Sequence, residues 1–200
     1  MKGILFKPWK IKAIAEDDGE WQTRRVIKPQ PCDDKTFIYA DGYCSLQAKN
    51  GYAPYAKSRY QVGEVVYIKE AFMIEQSEGF DEPTDRPFKN DYEWGLLIPH
   101  YKLTDPDPEL YDDEDRQVKW RSPLFMPEWA ARYFLKITDI RAERLQEITN
   151  EDITAEGLGE GYTKFGWTYA FGQLWNSINP KYPWAMNPWV FVYSFKKAEK

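Results

Sequence analysis

The sequence predicts an α+β fold, a small β-barrel with flanking helices, and three observations lead there. β-branched and aromatic residues cluster in short runs far apart in the chain: Val65 to Lys69, Tyr133 to Ile140 and Trp189 to Phe195. Between the last two runs lies one apolar stripe at spacings of three and four, Trp167, Phe171, Leu174, Trp175 and Ile178, which predicts an amphipathic helix lying on a sheet. The resulting order is strand, helix, strands, strand, helix, helix, strand. That order lacks the regular strand-helix alternation of a doubly wound sheet and suits an α+β barrel.

The elements follow in turn. Ile4-Leu5-Phe6 predicts a short buried strand, and Pro8 suits the first turn of a helix that continues through Ile11, Ile14 and Ala15 to a stop at Asp17-Asp18-Gly19. Gln22 to Ile27 is an extended run closed by Pro29 and Pro31. Residues 32–60 form a hairpin-like insert, with Phe37-Ile38-Tyr39 and Tyr43-Cys44-Ser45-Leu46 on either side of Asp41-Gly42. Val65 to Lys69, after the turn at Gly63, is assigned to a central strand.

Residues 78–117 are rich in proline and acid and keep no period, which predicts a long acidic surface-loop insert. Met126 to Ala131 can form one helical turn, and Tyr133 to Ile140 is the longest strand signal. Thr149-Asn150-Glu151-Asp152 reads as a capping box, with Gly157 as the stop of the helix it opens. Trp189 to Phe195 is a closing strand, and Lys196-Lys197 is placed in solvent. No internal repeat is present, so the chain is read as a single domain, residues 1–200, carrying two inserts.

Composition narrows the function. An apolar share of 42% with 17% aromatics suffices for a core. No run approaches the roughly 18 apolar residues of a membrane span. The start, Met1 to Pro8, is too short and too charged for a signal peptide, so the expected location is the cytoplasm, without membrane partners. Two cysteines, Cys32 and Cys44, and one histidine, His100, are too few for a thiolate or histidine metal centre or for a Ser/His/Asp triad. His100 is read as a solvated loop residue, and no metal or cofactor is expected. The net charge of −5 is unevenly spread, because residues 78–115 hold thirteen acidic against three basic side chains and the rest carries +5. A mildly basic body with an acidic appendage is the consequence.

Four motifs carry a family resemblance: Gly19-Glu20-Trp21-Gln22-Thr23-Arg24-Arg25, Val62 to Glu70, Ile137-Thr138-Asp139-Ile140-Arg141 running on to Ala155-Glu156-Gly157, and Asn187-Pro188-Trp189-Val190-Phe191. In this order the chain resembles an ASCH-domain protein of the longer, phage-associated type, as does the segment Trp120-Arg121-Ser122-Pro123 with Met126 to Ala130. The resemblance implies a PUA-like barrel whose cleft takes RNA or a modified nucleoside or nucleotide, in the cytoplasm of a host cell if the protein is phage-encoded. It also implies a rival activity, since small ASCH members hydrolyse the amide of 4-acetylcytidine. On that reading Thr23 and Glu156 are the matching catalytic positions. The lysine that opens the corresponding segment is Gln22 here, an amide with no accessible protonation equilibrium, and Arg25 stands where a second threonine would be. Either Lys7 or Lys69 takes the lysine's place, or the chain binds without that chemistry.

The residues proposed to bind ligand are Gln22, Arg24, Arg25, Lys69 and Glu70, with Trp9 and Trp129 as stacking candidates. Adjacent strand residues face opposite sides, so Gln22 and Arg24 share one face and Thr23 takes the other. An ion pair with nearby carboxylates is the plain alternative for each arginine, pairing with a neighbouring arginine is the alternative for Glu70, and burial in the core is the default for Trp167, Trp175 and Trp189. The acidic run Asp112-Asp113-Glu114-Asp115 is most simply a solvated face, while the whole of residues 78–115 is a candidate surface for a host protein.

Overall fold

In the computed structural model, residues 1–30, 35–40, 43–48, 56–77, 96–106, 120–158 and 166–199 are described, without the side chains of 35–40, 43–48, 75–77 and 96–97. The strands are β1 (Lys2–Leu5), β2 (Trp21–Val26), β3 (Lys35–Ala40), β4 (Tyr43–Ala48), β5 (Val65–Lys69), β6 (Phe72–Ser77), β7 (Leu96–Tyr101), β8 (Phe134–Arg144) and β9 (Trp189–Ala198). Among the described residues the α-helices are α1 (Pro8–Glu16), α2 (Asn150–Ala155) and α3 (Trp167–Ile178). One five-stranded sheet has the order β1-β5-β8-β9-β2, and β3-β4 and β6-β7 form two-stranded sheets. The fold is thus mixed α+β, and no closed barrel is formed among the described residues.

The chain divides into two compact units, Met1–Lys12 with Tyr67–Arg132, and Ala13–Val66 with Tyr133–Lys200. In the second, larger unit β9 pairs antiparallel with β2 on one side and β8 on the other. Trp21, Thr23 and Arg25 stand opposite Phe195, Tyr193 and Phe191, while Gln22, Arg24 and Val26 stand opposite Ser194, Val192 and Val190. Directly paired residues point to the same side, so these two sets define the two faces of the ladder.

β8 carries an irregularity that keeps those faces in phase. Ile137 pairs with Phe195 and Ile140 with Tyr193, partners two residues apart, although the isoleucines are three apart. The extra residue between Ile137 and Asp139 is Thr138, a bulge that turns both isoleucines inward, where each is fully buried.

The Val190/Val192 face is covered by Leu145, Ile148, Ile153, Leu158, Phe171 and Trp175, an apolar cluster to which α2 and α3 contribute. α2 begins as its sequence dictates: Thr149 Oγ1 accepts from the Asp152 amide and Asp152 Oδ2 accepts from the Thr149 amide. It ends in paired turns, with the Leu158 amide donating to the Ile153 carbonyl and the Gly157 amide to the Thr154 carbonyl. Gly157 has a φ of 90°, which a side chain would oppose. Glu156, the C-cap, is thereby held in a fixed place at the helix end.

In the first unit β6 and β7 pair antiparallel from Phe72↔Tyr101 to Ser77↔Leu96, and Phe72 also bridges to Arg121. A Ser122-capped 3-10 turn, Pro123–Phe125, and a second, Glu128–Ala130, follow. Met126 between them is buried and its carbonyl accepts from the Tyr67 hydroxyl.

Three expectations need correction. The stretch 78–117 contains strand β7, whose Leu96-Leu97-Ile98 run supplies the β propensity that the surrounding acid and proline obscure; the remainder, 78–95 and 107–117, lies outside the described residues. His100 belongs to that strand, opposite Met73, with Nδ1 2.9 Å from Asp105 Oδ2, so it is not a solvated loop residue. β9 runs through Lys196 and Lys197 to Ala198; Lys196 is exposed as expected, whereas Lys197 Nζ donates to the Ala15 carbonyl and ties the strand end down.

Candidate functional site

β2 sets the site, because each of its two faces carries an arginine. On the Val192 face Arg24 is 5% exposed. Its Nε and Nη2 donate to Glu143 Oε1 at 3.1 and 2.8 Å, Nη2 reaches Asp152 Oδ2 at 2.9 Å, and Nη1 donates to Glu156 Oε1 at 3.3 Å. Arg141 braces the same carboxylates, 2.9 Å from Glu143 Oε2 and 3.0 Å from Asp152 Oδ1. Gln22 Oε1 lies 3.5 Å from both guanidinium groups. Burial pushes the Asp152 carboxyl up, but the Thr149 amide and the charges of Arg24 and Arg141 outweigh it and hold the group below its usual range. Gln22 and Arg24 do share a face as alternation predicts, and that face is an ion-pair network surrounding a buried guanidinium.

The opposite face is different in kind. Thr23, 5% exposed, stands opposite Tyr193, whose hydroxyl lies 3.0 Å from Ser58 Oγ and accepts from the Arg59 amide at 3.3 Å. Ser58 Oγ also donates to the Tyr60 carbonyl at 2.7 Å. The Tyr60 ring meets Tyr193 edge-on at 5.2 Å, and the Arg59 guanidinium lies 5.5 Å from the Tyr60 centroid. Arg25 is half-buried as a residue, and desolvation pushes its guanidinium below its ordinary value; Glu156, Tyr60 and Tyr193 pull it back and Arg59 pushes it down. Burial raises both phenols, against the pull of Arg25. Trp21 lies on this face as well, and its indole N–H is buried with no hydrogen-bond partner among the described residues.

Glu156 links the two faces. It bonds Arg24 on one and is the strongest favourable charge on Arg25 on the other.

Lys69 and Glu70 lie in the other unit and are taken up there. Lys69 runs across Gly3, where a Cβ would come 2.3 Å from its Cε, and its ammonium donates to the Leu124 carbonyl at 2.9 Å. Glu70, 2% exposed, holds Arg132 in a two-pronged pair at 2.8 and 2.7 Å. Arg132 in turn donates to Thr104 Oγ1 at 3.0 Å and stacks 4.1 Å from the Tyr101 centroid. Trp9 on α1 is 37% exposed and Trp129 is half-buried in its 3-10 turn. The structure therefore gathers Thr23, Arg25 and Glu156 in the second unit, while Lys69, Glu70, Trp9 and Trp129 belong to the first.

Sequence reasoning missed Ser58, Arg59, Tyr60 and Tyr193 as neighbours of Arg25, and Glu143 and Asp152 as partners of Arg24. The alternation of Ala56, Ser58 and Tyr60 with the charged Lys57 and Arg59 was an available signal, and in the structure the first set is buried and the second exposed. No group of three or more metal-binding side chains occurs among the described residues, and no helix there is long and apolar enough to cross a membrane. No family model, curated protein or solved structure matches the chain.

Proposed function

We propose that this chain is an ASCH-type, PUA-like module that recognises RNA or a modified nucleobase on the Thr23/Arg25/Tyr193 face, not on the Gln22/Arg24 face. One observation carries the reading: Arg25 shares its face of β2 with Thr23, beside Tyr193, whose hydroxyl lies 3.0 Å from Ser58 Oγ and accepts from the Arg59 amide. A guanidinium and hydroxyl groups in one polar cluster offer a planar base both donors and acceptors. Arg24 is too enclosed for that role and serves to hold Glu156. A phage or prophage accessory role in a host cytoplasm accompanies this reading through the resemblance.

The test is a thermal-shift screen of modified nucleosides and short RNA on the intact chain. Arg25→Lys keeps the charge and removes the fork, so it should weaken any response at least about tenfold. An unchanged response in that variant would sink the proposal. RNA affinity should also fall steeply with salt.

The amidohydrolase reading keeps one specific support, since Thr23 shares its face with Arg25, whose strongest favourable charge is Glu156. It predicts acetate release from 4-acetylcytidine, abolished by Glu156→Gln. A folded protein that shows no turnover at high enzyme concentration removes this reading.

A further inference from the structure

We propose that the Leu124/Phe125 tip of the first unit, with Met1 and Leu5 beside it, is a docking surface for an anionic lipid membrane, on which the protein rests without spanning it. All its residues belong to the first unit, and none of them takes part in the function proposed above.

Phe125 is 76% exposed and Leu124 61%, neighbours on one 3-10 turn. A single exposed apolar side chain is ordinary, but adjoining large ones that the backbone keeps in water mark a contact surface. This backbone is fastened throughout. The Phe125 amide donates to the Ser122 carbonyl at 3.0 Å and the Met126 amide to the Pro123 carbonyl at 3.1 Å. Arg121 bridges to Phe72 just before the turn, and just after it the buried Met126 accepts from the Tyr67 hydroxyl at its carbonyl and from the Glu70 amide at its sulfur. Met1 and Leu5 are exposed as well, and the Lys69 stem joins them to the tip: it lies over Gly3, between the two, and its ammonium ends on the Leu124 carbonyl.

Charge selects the occupant. Lys7 follows Leu5 by two residues and Arg121 precedes Leu124 by three; both are exposed, and neither makes an ion pair among the described residues. Residues 1–15 hold four lysines and no acidic residue. The carboxylates beside the tip among the described residues are already engaged, Glu128 by the Met1 ammonium and Glu70 by Arg132. An apolar tip flanked by unpaired cations fits an anionic bilayer, because the side chains enter the acyl boundary while the cations stay at the headgroups. No matching pocket is required of such a partner. A second copy of the chain would set these cations against their own kind, and a nucleic acid would find one ring, Phe125, among aliphatic side chains that offer no stacking face.

The test is sedimentation of the intact chain with phosphatidylcholine vesicles, with and without phosphatidylserine, at low and at high salt. Binding is expected on the anionic vesicles alone and should weaken as salt screens the cations. Phe125→Ser should lower vesicle affinity at least about tenfold, and Arg121→Glu should lower it at low salt, both with unaltered Tm because the two side chains are exposed. No binding to phosphatidylserine vesicles overturns the proposal, and so does full affinity in Phe125→Ser, which would make the contact purely electrostatic. Self-association lost in Phe125→Ser, seen by analytical ultracentrifugation without vesicle binding, overturns it in favour of a second copy. Binding to single-stranded RNA that is lost in that variant while vesicles are ignored overturns it in favour of nucleic acid.

Discussion

Arg24 Nη1 donates to Glu156 Oε1 at 3.3 Å, joining β2 to the C-cap of α2 across 132 positions of sequence. α2 has only six residues, far fewer than a helix needs to persist alone, so packing and this pairing must hold it. The carboxylate that Arg25 senses is therefore delivered by a helix whose own position depends on Arg24.

Removing Arg24 should consequently be costly. Arg24→Ala leaves Glu143 and Asp152 to Arg141 and takes from Glu156 its Arg24 contact, and such a loss typically costs about 3 to 5 kcal/mol. Urea denaturation measures it. A loss below about 1 kcal/mol, the range of exposed pairs, would mean that the network is solvated.

Acid should act through Asp152. Its native carboxyl lies below the unfolded value of about 4, so its contribution is present above that pH and fades as pH falls through the depressed native value. Asp152→Asn should flatten the acid limb of the stability profile, read from denaturant midpoints between pH 5 and about 2.

The phenols should show the opposite sign. Burial raises Tyr60 and Tyr193 above about 10, so their contribution is complete below that pH and is lost as pH rises through the native values. Spectrophotometric titration should reveal two late phenolates, and Tyr193→Phe should remove one. Loss of no late phenolate in that variant would show that Tyr193 is solvated.

Glu70 separates structure from recognition. Glu70→Ala abandons both prongs of the Arg132 pair, and a cost of about 2 kcal/mol or more is expected in denaturation. A variant of unaltered stability would return Glu70 to the list of ligand contacts.

Much of this fold could be read from local pattern. α3 occupies Trp167–Ile178, where the stripe of three-and-four spacing put it, and α2 starts at its Thr149/Asp152 box. Such signals lie within a dozen residues and depend on backbone periodicity alone. β6 and β7 escaped notice because their pairing joins Phe72 to Tyr101 across acid-rich sequence that masks the short apolar run. The Arg24 network was out of reach for a related reason: Glu143 and Asp152 look like ordinary surface charges until the sheet brings them to a guanidinium more than a hundred positions away. Alternation did place Gln22 with Arg24, yet it could not say that their face lies against α2.

Thr138 has a wider reach than one unpaired residue suggests. Counting by twos from Ile137 would send Asp139, Arg141 and Glu143 to the interior beside Tyr193 and leave Ile140 beneath α2. The added residue resets the parity of everything after it, so the brace of Arg141 and Glu143 around Arg24 exists only because β8 is one residue longer than its partner there. Excising Thr138 would exchange the hydrocarbon and ionic halves of the strand's second half, a change no point substitution could reproduce.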